Sequence, residues 1–236
     1  MTLIDENIVH LENQLGFETF KHEYRAAIKT VRTKIEILSE DFAVRNDYNP
    51  IHHIERRLKT PESIEEKLTK LGCEISIQSA RENIFDIAGI RVVCNFIDDV
   101  YTVADMLSSQ DDIHVMNVKD YIKNPKANGY SSLHMIIGVP VFLLDRLEEV
   151  PVELQIRTVA MDFWASLEHE LRYKHAKEFT DSVNNDLKDV AETTRVLDKK
   201  MQKLFDEVAE LPGLEIGEDQ IFKPRTKQLF KEIKVK

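Results

Sequence analysis

The stretch Val150-Pro151-Val152-Glu153-Leu154-Gln155-Ile156-Arg157-Thr158 decides the fold. Successive side chains of a strand point to opposite faces. Val152, Leu154 and Ile156 therefore share one face, and Glu153, Gln155 and Arg157 share the other. The apolar face is committed to a core. The face carrying a carboxylate, an amide and a guanidinium side by side is either open to solvent or part of a site, and the pattern leaves both open. After Thr158 the period changes: Ala160, Trp164, Leu167 and Leu171 return to helical spacing.

Working upstream, Ile84 to Phe96 reads as a loop entering a buried strand, with Ile90, Val92, Cys94 and Phe96 on one face and Arg91, Val93 and Asn95 on the other. Leu133 to Phe142 is apolar enough for a central strand, and His114 to Val118 reads as another. Asp98 opens a helix through Val103, Met106 and Leu107, and Tyr121 to Tyr130 is a polar loop. Tyr24, Ile28, Val31, Ile35, Leu38 and Phe42 alternate four and three apart, one stripe of a long helix that Asn46 to Pro50 ends. Pro61 suits a first helical turn with Thr60 as N-cap, and Gly72 closes that helix.

Downstream, Val183, Leu187, Val190, Thr194, Leu197, Met201, Leu204, Val208 and Leu211 keep the same four-three alternation until Pro212 and Gly213. Such a heptad seam packs on another helix, either the N-terminal helix of the same chain or another subunit. The expected architecture is α/β: a mixed sheet with helices around it, flanked by two long helices. The expected segments are 1–48 helical, 49–176 a catalytic core, and 177–236 a C-terminal helix for oligomerisation plus a basic tail.

Composition bounds the function. The chain has 236 residues, 32 Lys and Arg against 42 Asp and Glu, and a net charge of −10. Its hydrophobic fraction of 42% excludes a disordered chain, and no apolar run approaches the roughly 18 residues of a membrane span. Met1 to Glu12 carries no Lys or Arg, so no signal or transit peptide is expected. Cys73 and Cys94 lack metal-ligand spacing, which suggests a reducing cytoplasm. A net-acidic protein is a poor generic binder of nucleic acid but can hold a small anion in a local basic pocket. From Glu178 to Asp219 there are twelve acidic residues against five basic; from Gln220 to Lys236 there are six basic and one acidic. The basic tail either touches RNA or is a solvated terminus.

Three further segments could carry chemistry. Asp86, in Asp-Ile-Ala-Gly-Ile-Arg, lies at the mouth of a buried strand, and an Asp and a Glu on neighbouring strand ends can share one Mg²⁺; two unrelated surface carboxylates fit the pattern equally. Arg57 and Lys59 precede the helix start at Pro61, with Ser63 in its first turn and Lys67 four residues on. Free backbone N–H groups, a positive dipole end and these cations would suit a polyphosphate; a solvated helix start is the alternative. The loop from Lys119 to His134 adds Lys123, Lys126, Tyr121 and Tyr130, which resemble a nucleotide grip as much as a mobile surface loop. There is no GxxxxGK[ST], GxGxxG or GxSxG motif, no partner cluster for His52 and His53, and no His followed by Asp. Nucleotide chemistry here would rest on strand carboxylates and basic side chains.

Taken together, Arg57-x-Lys59 with Ser63 and Lys67, Asp86-Ile-Ala-Gly-Ile-Arg91, Gly129-Tyr130-Ser-Ser-Leu-His134, Val152-Glu153-Leu-Gln155-Ile-Arg157-Thr158 and Trp164-Ala-x-x-Glu168-His169 resemble the synthetase domain of RelA/SpoT-type (p)ppGpp synthetases, in order and spacing, over about 57–175. The short length and the lack of a hydrolase or regulatory extension look like the stand-alone small alarmone synthetases of bacteria. The resemblance implies a nucleotidyltransferase-like core, a GTP pyrophosphokinase of the stringent response, and transfer of the pyrophosphate of ATP to the 3′-hydroxyl of GDP or GTP with release of AMP. It also implies Mg²⁺, a homotetramer, and no hydrolase activity. Carried over by residue, Asp86 and Glu153 would be catalytic and hold the metal, Glu153 beside the 3′-hydroxyl. Arg57 and Arg91 would sandwich the adenine; Lys59, Ser63 and Lys67 would hold the ATP phosphates. Tyr130 would stack on guanine, with Asp162 and His169 nearby; Lys119, Lys126, His134 and Arg157 would meet the acceptor's phosphates or orient the site. Asp162 stands where many members carry Asn, and Leu133 where an aromatic is frequent. A rival of another class is a non-catalytic nucleotide sensor or helix-mediated interaction module.

Overall fold

The computed structural model describes residues 17–175 and 180–209. Its elements, in chain order, are α1 (Phe17–Asn46), β1 (Ile51–Leu58), α2 (Pro61–Leu71), α3 (Ile77–Asn83), β2 (Ala88–Cys94), α4 (Ile97–Ser108), β3 (His114–Asp120), β4 (Leu133–Phe142), β5 (Leu147–Thr158), α5 (Val159–His175) and α6 (Asp181–Ala209). The five strands form one sheet in the order β1-β2-β5-β4-β3. The β2–β5 pair is parallel and the other three are antiparallel.

One face of the sheet is apolar. Ile90, Val92, Leu154, Ile156, Met135 and Ile137 pack there with Phe17, Phe20, Tyr24, Ile28 and Val31 of α1 and with Val100, Val103 and Leu107 of α4. Each such side chain contributes about 1.5–3 kcal/mol by leaving water. This fixes which face of β5 is left over: Glu153, Gln155 and Arg157 must point away from α1 and α4. The fully buried Glu23 of α1 pairs with Arg81 of α3 and with Arg146 at the β4–β5 turn, tying three elements to the core helix.

Helix α2 begins and ends as its sequence indicates. Thr60 Oγ1 accepts from the Ser63 N–H, Pro61 occupies the first turn, and Gly72 closes the helix at φ 70°. Sequence reading missed β1 and α3, and it placed the start of β5 three residues late.

The regular seam of α6 is not packed on α1. Val183, Val190, Leu197, Met201, Leu204 and Val208 are exposed. The helix docks instead through another face, against α5 and α4. Trp164 Nε1 donates to the Leu187 carbonyl at 3.0 Å, and Thr158 Oγ1 donates to the buried Asp198 at 2.5 Å. Phe205 packs on the rings of Phe96 and Tyr48. Leu211, Pro212, Gly213 and the basic run 220–236 lie outside the described residues.

Candidate active site

Strand register assembles the site. One row crosses all five strands as Glu55–Arg91–Gln155–His134–Lys119, each residue a register partner of the next. A second row, one step along, reads Arg57–Gly89–Glu153–Ile136–Asn117. Both rows lie on the face opposite α1 and floor an open cleft of about 790 Å³. Gly89, between Arg57 and Glu153, keeps the middle of that floor low. Lys59, Lys67, Asp86, Tyr121 and Lys126 stand on its wall.

Asp86 stands just before β2. The Lys59 N–H donates to the Ile87 carbonyl at 2.8 Å and so holds the end of β1 against this corner. Lys67 Nζ then reaches Asp86 Oδ1 at 2.7 Å, and Lys59 Nζ reaches Oδ2 at 3.3 Å. Burial alone would raise the Asp86 pKa; the two lysines outweigh it, and the carboxyl sits below its ordinary value. Glu153 behaves likewise. Its partial burial and the charge of Asp86 push its pKa up, but contacts from His134 and Gln155 bring it below the ordinary glutamate value. Two carboxylates that feel one another across the cleft, both held ionised, are a donor set that fits Mg²⁺, which takes one or two carboxylates and completes its shell with phosphates and water. Among the described residues no group of three or more His, Cys, Asp and Glu side chains forms a protein-only metal cage.

Beside Glu153 a closed ring of contacts rigidifies one end of the cleft. Gln155 Nε2 donates to Glu153 Oε2 at 2.9 Å, and Arg157 donates to Gln155 Oε1 at 2.8 Å and to the Tyr130 hydroxyl at 2.6 Å. The Tyr130 hydroxyl lies 2.8 Å from His134 Nε2, and His134 Nδ1 lies 3.5 Å from Glu153 Oε1. Arg157 is only 4% exposed, so the polar face of β5 is covered at this end, while Glu153 and Gln155 are half-buried in the cleft. It also donates to Asp162 at 3.1 Å. Lys126 Nζ sits 4.6 and 4.8 Å from the ring centres of Tyr121 and Tyr130, the lysine-and-aromatic arrangement that the loop composition suggests.

The loop carrying Tyr130 is braced from behind. Gly129 has φ +92°, a conformation open to glycine, and a Cβ there would come within 2.5 Å of Ala191 Cβ in α6. Helix α6 thus touches the site through the loop backbone.

Of the residues singled out by sequence, Arg57, Lys59, Lys67, Asp86, Arg91, Lys119, Lys126, His134 and Glu153 line the cleft. Tyr130 and Arg157 join it through the ring, and Asp162 through Arg157. Ser63 and His169 are not on its wall. Sequence reading gave no role to Glu55, Asn117 or Phe85, which are. Glu55 and Asn117 carry no local signal and are found only by register.

A five-stranded mixed sheet carrying this carboxylate and cation cleft defines an α/β protein with a site suited to an anionic ligand, and comparison with known proteins narrows the class. The region found in RelA / SpoT proteins matches residues 56–178. The chain belongs to the RelA/SpoT family. The chain is 43% identical over 209 residues to the GTP pyrophosphokinase YwaC of Bacillus subtilis, covering 87% of this chain and all of that one. Among solved structures it resembles small alarmone synthetase 2 of Bacillus subtilis, with TM-score 0.75, 42% identity, and coverage of 82% of this chain and 100% of that one. It also resembles small alarmone synthetase 1 of the same organism bound to its product pppGpp, with TM-score 0.75, 33% identity, and coverage of 82% and 98%.

Proposed function

We propose that this chain is a GTP pyrophosphokinase that moves the pyrophosphate of ATP to the 3′-hydroxyl of GDP or GTP, giving (p)ppGpp and AMP. The observation that carries this reading is the position of Glu153, mid-strand in a cationic cleft, with Asp86 facing the same volume and a lysine pair beside it.

The chemistry asks for such a cleft. A 3′-oxygen must reach the β-phosphorus of ATP while both substrates are polyanions. Lys59 and Lys67 on one side and Lys119 and Lys126 on the other offset that repulsion and fix the line of approach. The ribose hydroxyl is a weak nucleophile at neutral pH. Glu153, ionised, would take its proton as the new O–P bond forms, a service typically contributing about 10²–10⁴-fold. Asp86 and Glu153 would hold Mg²⁺, which supplies charge neutralisation at the phosphates when bound. Arg57 and Arg91 flank the donor end, where adenine would lie between them; Ser63 would add a phosphate contact from the α2 first turn. Tyr130 offers a ring to guanine. Arg157 and His134 set its angle; Asp162, bonded to Arg157, would lie near the base, as would His169 from behind the cleft wall.

The segments follow from the same reading: 49–176 as the catalytic core, 1–48 as a helical lead and 177–236 as the assembly arm. The exposed seam of α6 supports a homo-oligomer, a tetramer by family resemblance. No helix among the described residues is long and apolar enough to cross a membrane, and two unpaired cysteines suit the cytoplasm. A non-catalytic sensor would not need both carboxylates.

The test is to supply purified protein with ATP, Mg²⁺ and GMP, GDP and GTP as competing acceptors, and to resolve the nucleotides by chromatography. The expected result is AMP in step with a 3′-pyrophosphorylated guanosine nucleotide. ADP or free phosphate in place of AMP would contradict the reaction.

A further inference from the structure

The Arg91 guanidinium is held by two carboxylates from separate elements. Glu55 Oε2, on β1, lies 3.0 Å from its Nη1, and Asp162 Oδ1, on α5, lies 3.4 Å from the same nitrogen. That Asp162 oxygen also accepts from Arg157 Nη1 at 3.1 Å. One carboxylate oxygen therefore joins an arginine at the donor end of the cleft to an arginine in the Tyr130 ring at the acceptor end.

This arrangement changes what Arg91 can do. An unpaired guanidinium in a cationic cleft would seek phosphate. With its charge offset by two carboxylates and its plane fixed from two sides, it is suited to offer a flat face to a base. Asp162 is little exposed, so its two contacts are less screened than surface pairs.

We propose that Glu55 and Asp162 are positioning residues: together they hold Arg91 as a stacking surface for the donor base, and Asp162 couples donor binding to acceptor binding by sharing its oxygen with Arg157. The proposal rests on the assignment of ATP as donor and a guanosine nucleotide as acceptor.

The experiment measures the affinity of full-length protein for α,β-methylene ATP by calorimetry, with and without saturating GDP, in unmutated protein, Glu55→Gln and Asp162→Asn. Both substitutions are near-isosteric, and the Glu55 side chain is 53% exposed. In unmutated protein GDP should tighten analogue binding about five-fold or more, the lower end of ordinary coupling between sites. Glu55→Gln should weaken the analogue about three- to five-fold, as for a half-exposed pair, leave the KM for GDP unchanged and keep the coupling. Asp162→Asn should weaken the analogue and abolish the coupling, and Asp162→Glu should restore part of it. Unchanged analogue affinity in Glu55→Gln overturns the Arg91 assignment. Coupling that survives Asp162→Asn, or a KM effect confined to GDP, overturns the bridge and makes Asp162 a direct guanine contact. Analogue binding reads this proposal, whereas AMP release by unmutated protein reads the reaction, so the two fail separately.

Discussion

Lys67 Nζ lies 2.7 Å from Asp86 Oδ1: the cation assigned to a triphosphate is bonded to the carboxylate assigned to a metal. Under that assignment lysine and metal would compete for one oxygen, and ATP phosphates would compete with the carboxylate for the lysine. Binding of a metal–nucleotide pair would then exchange partners without leaving either charge unpaired.

Lys67→Gln should therefore act in opposite directions on the two ligands. Mn²⁺ used as a probe for Mg²⁺ should bind the protein alone more tightly, because Asp86 loses its competitor. α,β-methylene ATP should bind about ten-fold more weakly, as expected when one charge-assisted hydrogen bond is removed. Titration of each ligand separately checks this. Weaker binding of both would show that Lys67 supports the metal site rather than competing for it.

Tyr130 carries two separable contributions. Tyr130→Ala should raise the KM for the acceptor about ten-fold or more, as expected when a base–aromatic stack is removed, with little change for ATP. Tyr130→Phe keeps the ring but breaks the hydrogen bonds at 2.6 and 2.8 Å to Arg157 and His134. It should lower kcat more than it raises the acceptor KM. Steady-state kinetics with each substrate varied in turn tests both; equal effects of Tyr130→Ala on the two KM values would remove the stacking role.

The main lines of this fold are legible in the sequence, and the exceptions have physical reasons. Strand β5 and helices α1 and α2 announce themselves because each buries one regular stripe and α2 carries its caps. Strand β1 does not: Ile51-His-His-Ile-Glu-Arg-Arg-Leu is an edge strand with a register shift between Ile51 and His53, and none of its residues is buried. Alternation is a signal of one-sided burial, and β1 has none to give. Helix α3 buries only Ala80. The α6 seam is real as a pattern, yet a second face, through Ala191 and Asp198, docks the helix. A buried Asp–Thr bond is invisible to hydropathy. At the site, Asp86, Glu153 and the lysines follow from residue type and motif, but Glu55 enters only once β1 and its register with Arg91 are known.

Helix α4 provides a pH test. Asp99 caps its start, accepting from the Phe96 N–H at 3.0 Å and from the Tyr48 hydroxyl at 2.5 Å. Burial, aided by the charge of Asp98, pushes its pKa up to about 6 from 3.8 against those two bonds. The folded protein therefore holds this proton more tightly than the unfolded chain. The contribution to stability is greatest below pH 3.8 and declines as pH rises through about 6. Denaturant unfolding at pH 5 and 7 should show the unmutated protein losing roughly 1–2 kcal/mol relative to Asp99→Asn. Parallel curves for the two proteins would contradict the raised value.

The exposed α6 seam predicts assembly. Leu197 is 53% exposed in the single chain, so Leu197→Asp should leave the fold intact and shift the mass by light scattering toward smaller species. A monomeric mass for the unmutated protein would show that the seam has no partner chain.

Glu153 would act on the 3′-hydroxyl from a cleft shared with Asp86. The direct measurement is AMP release from ATP, GDP and Mg²⁺ by Glu153→Gln beside unmutated protein, with circular dichroism of both. The expected result is an intact fold and turnover reduced by about 10²–10⁴-fold or more. Turnover close to that of the unmutated protein would contradict it.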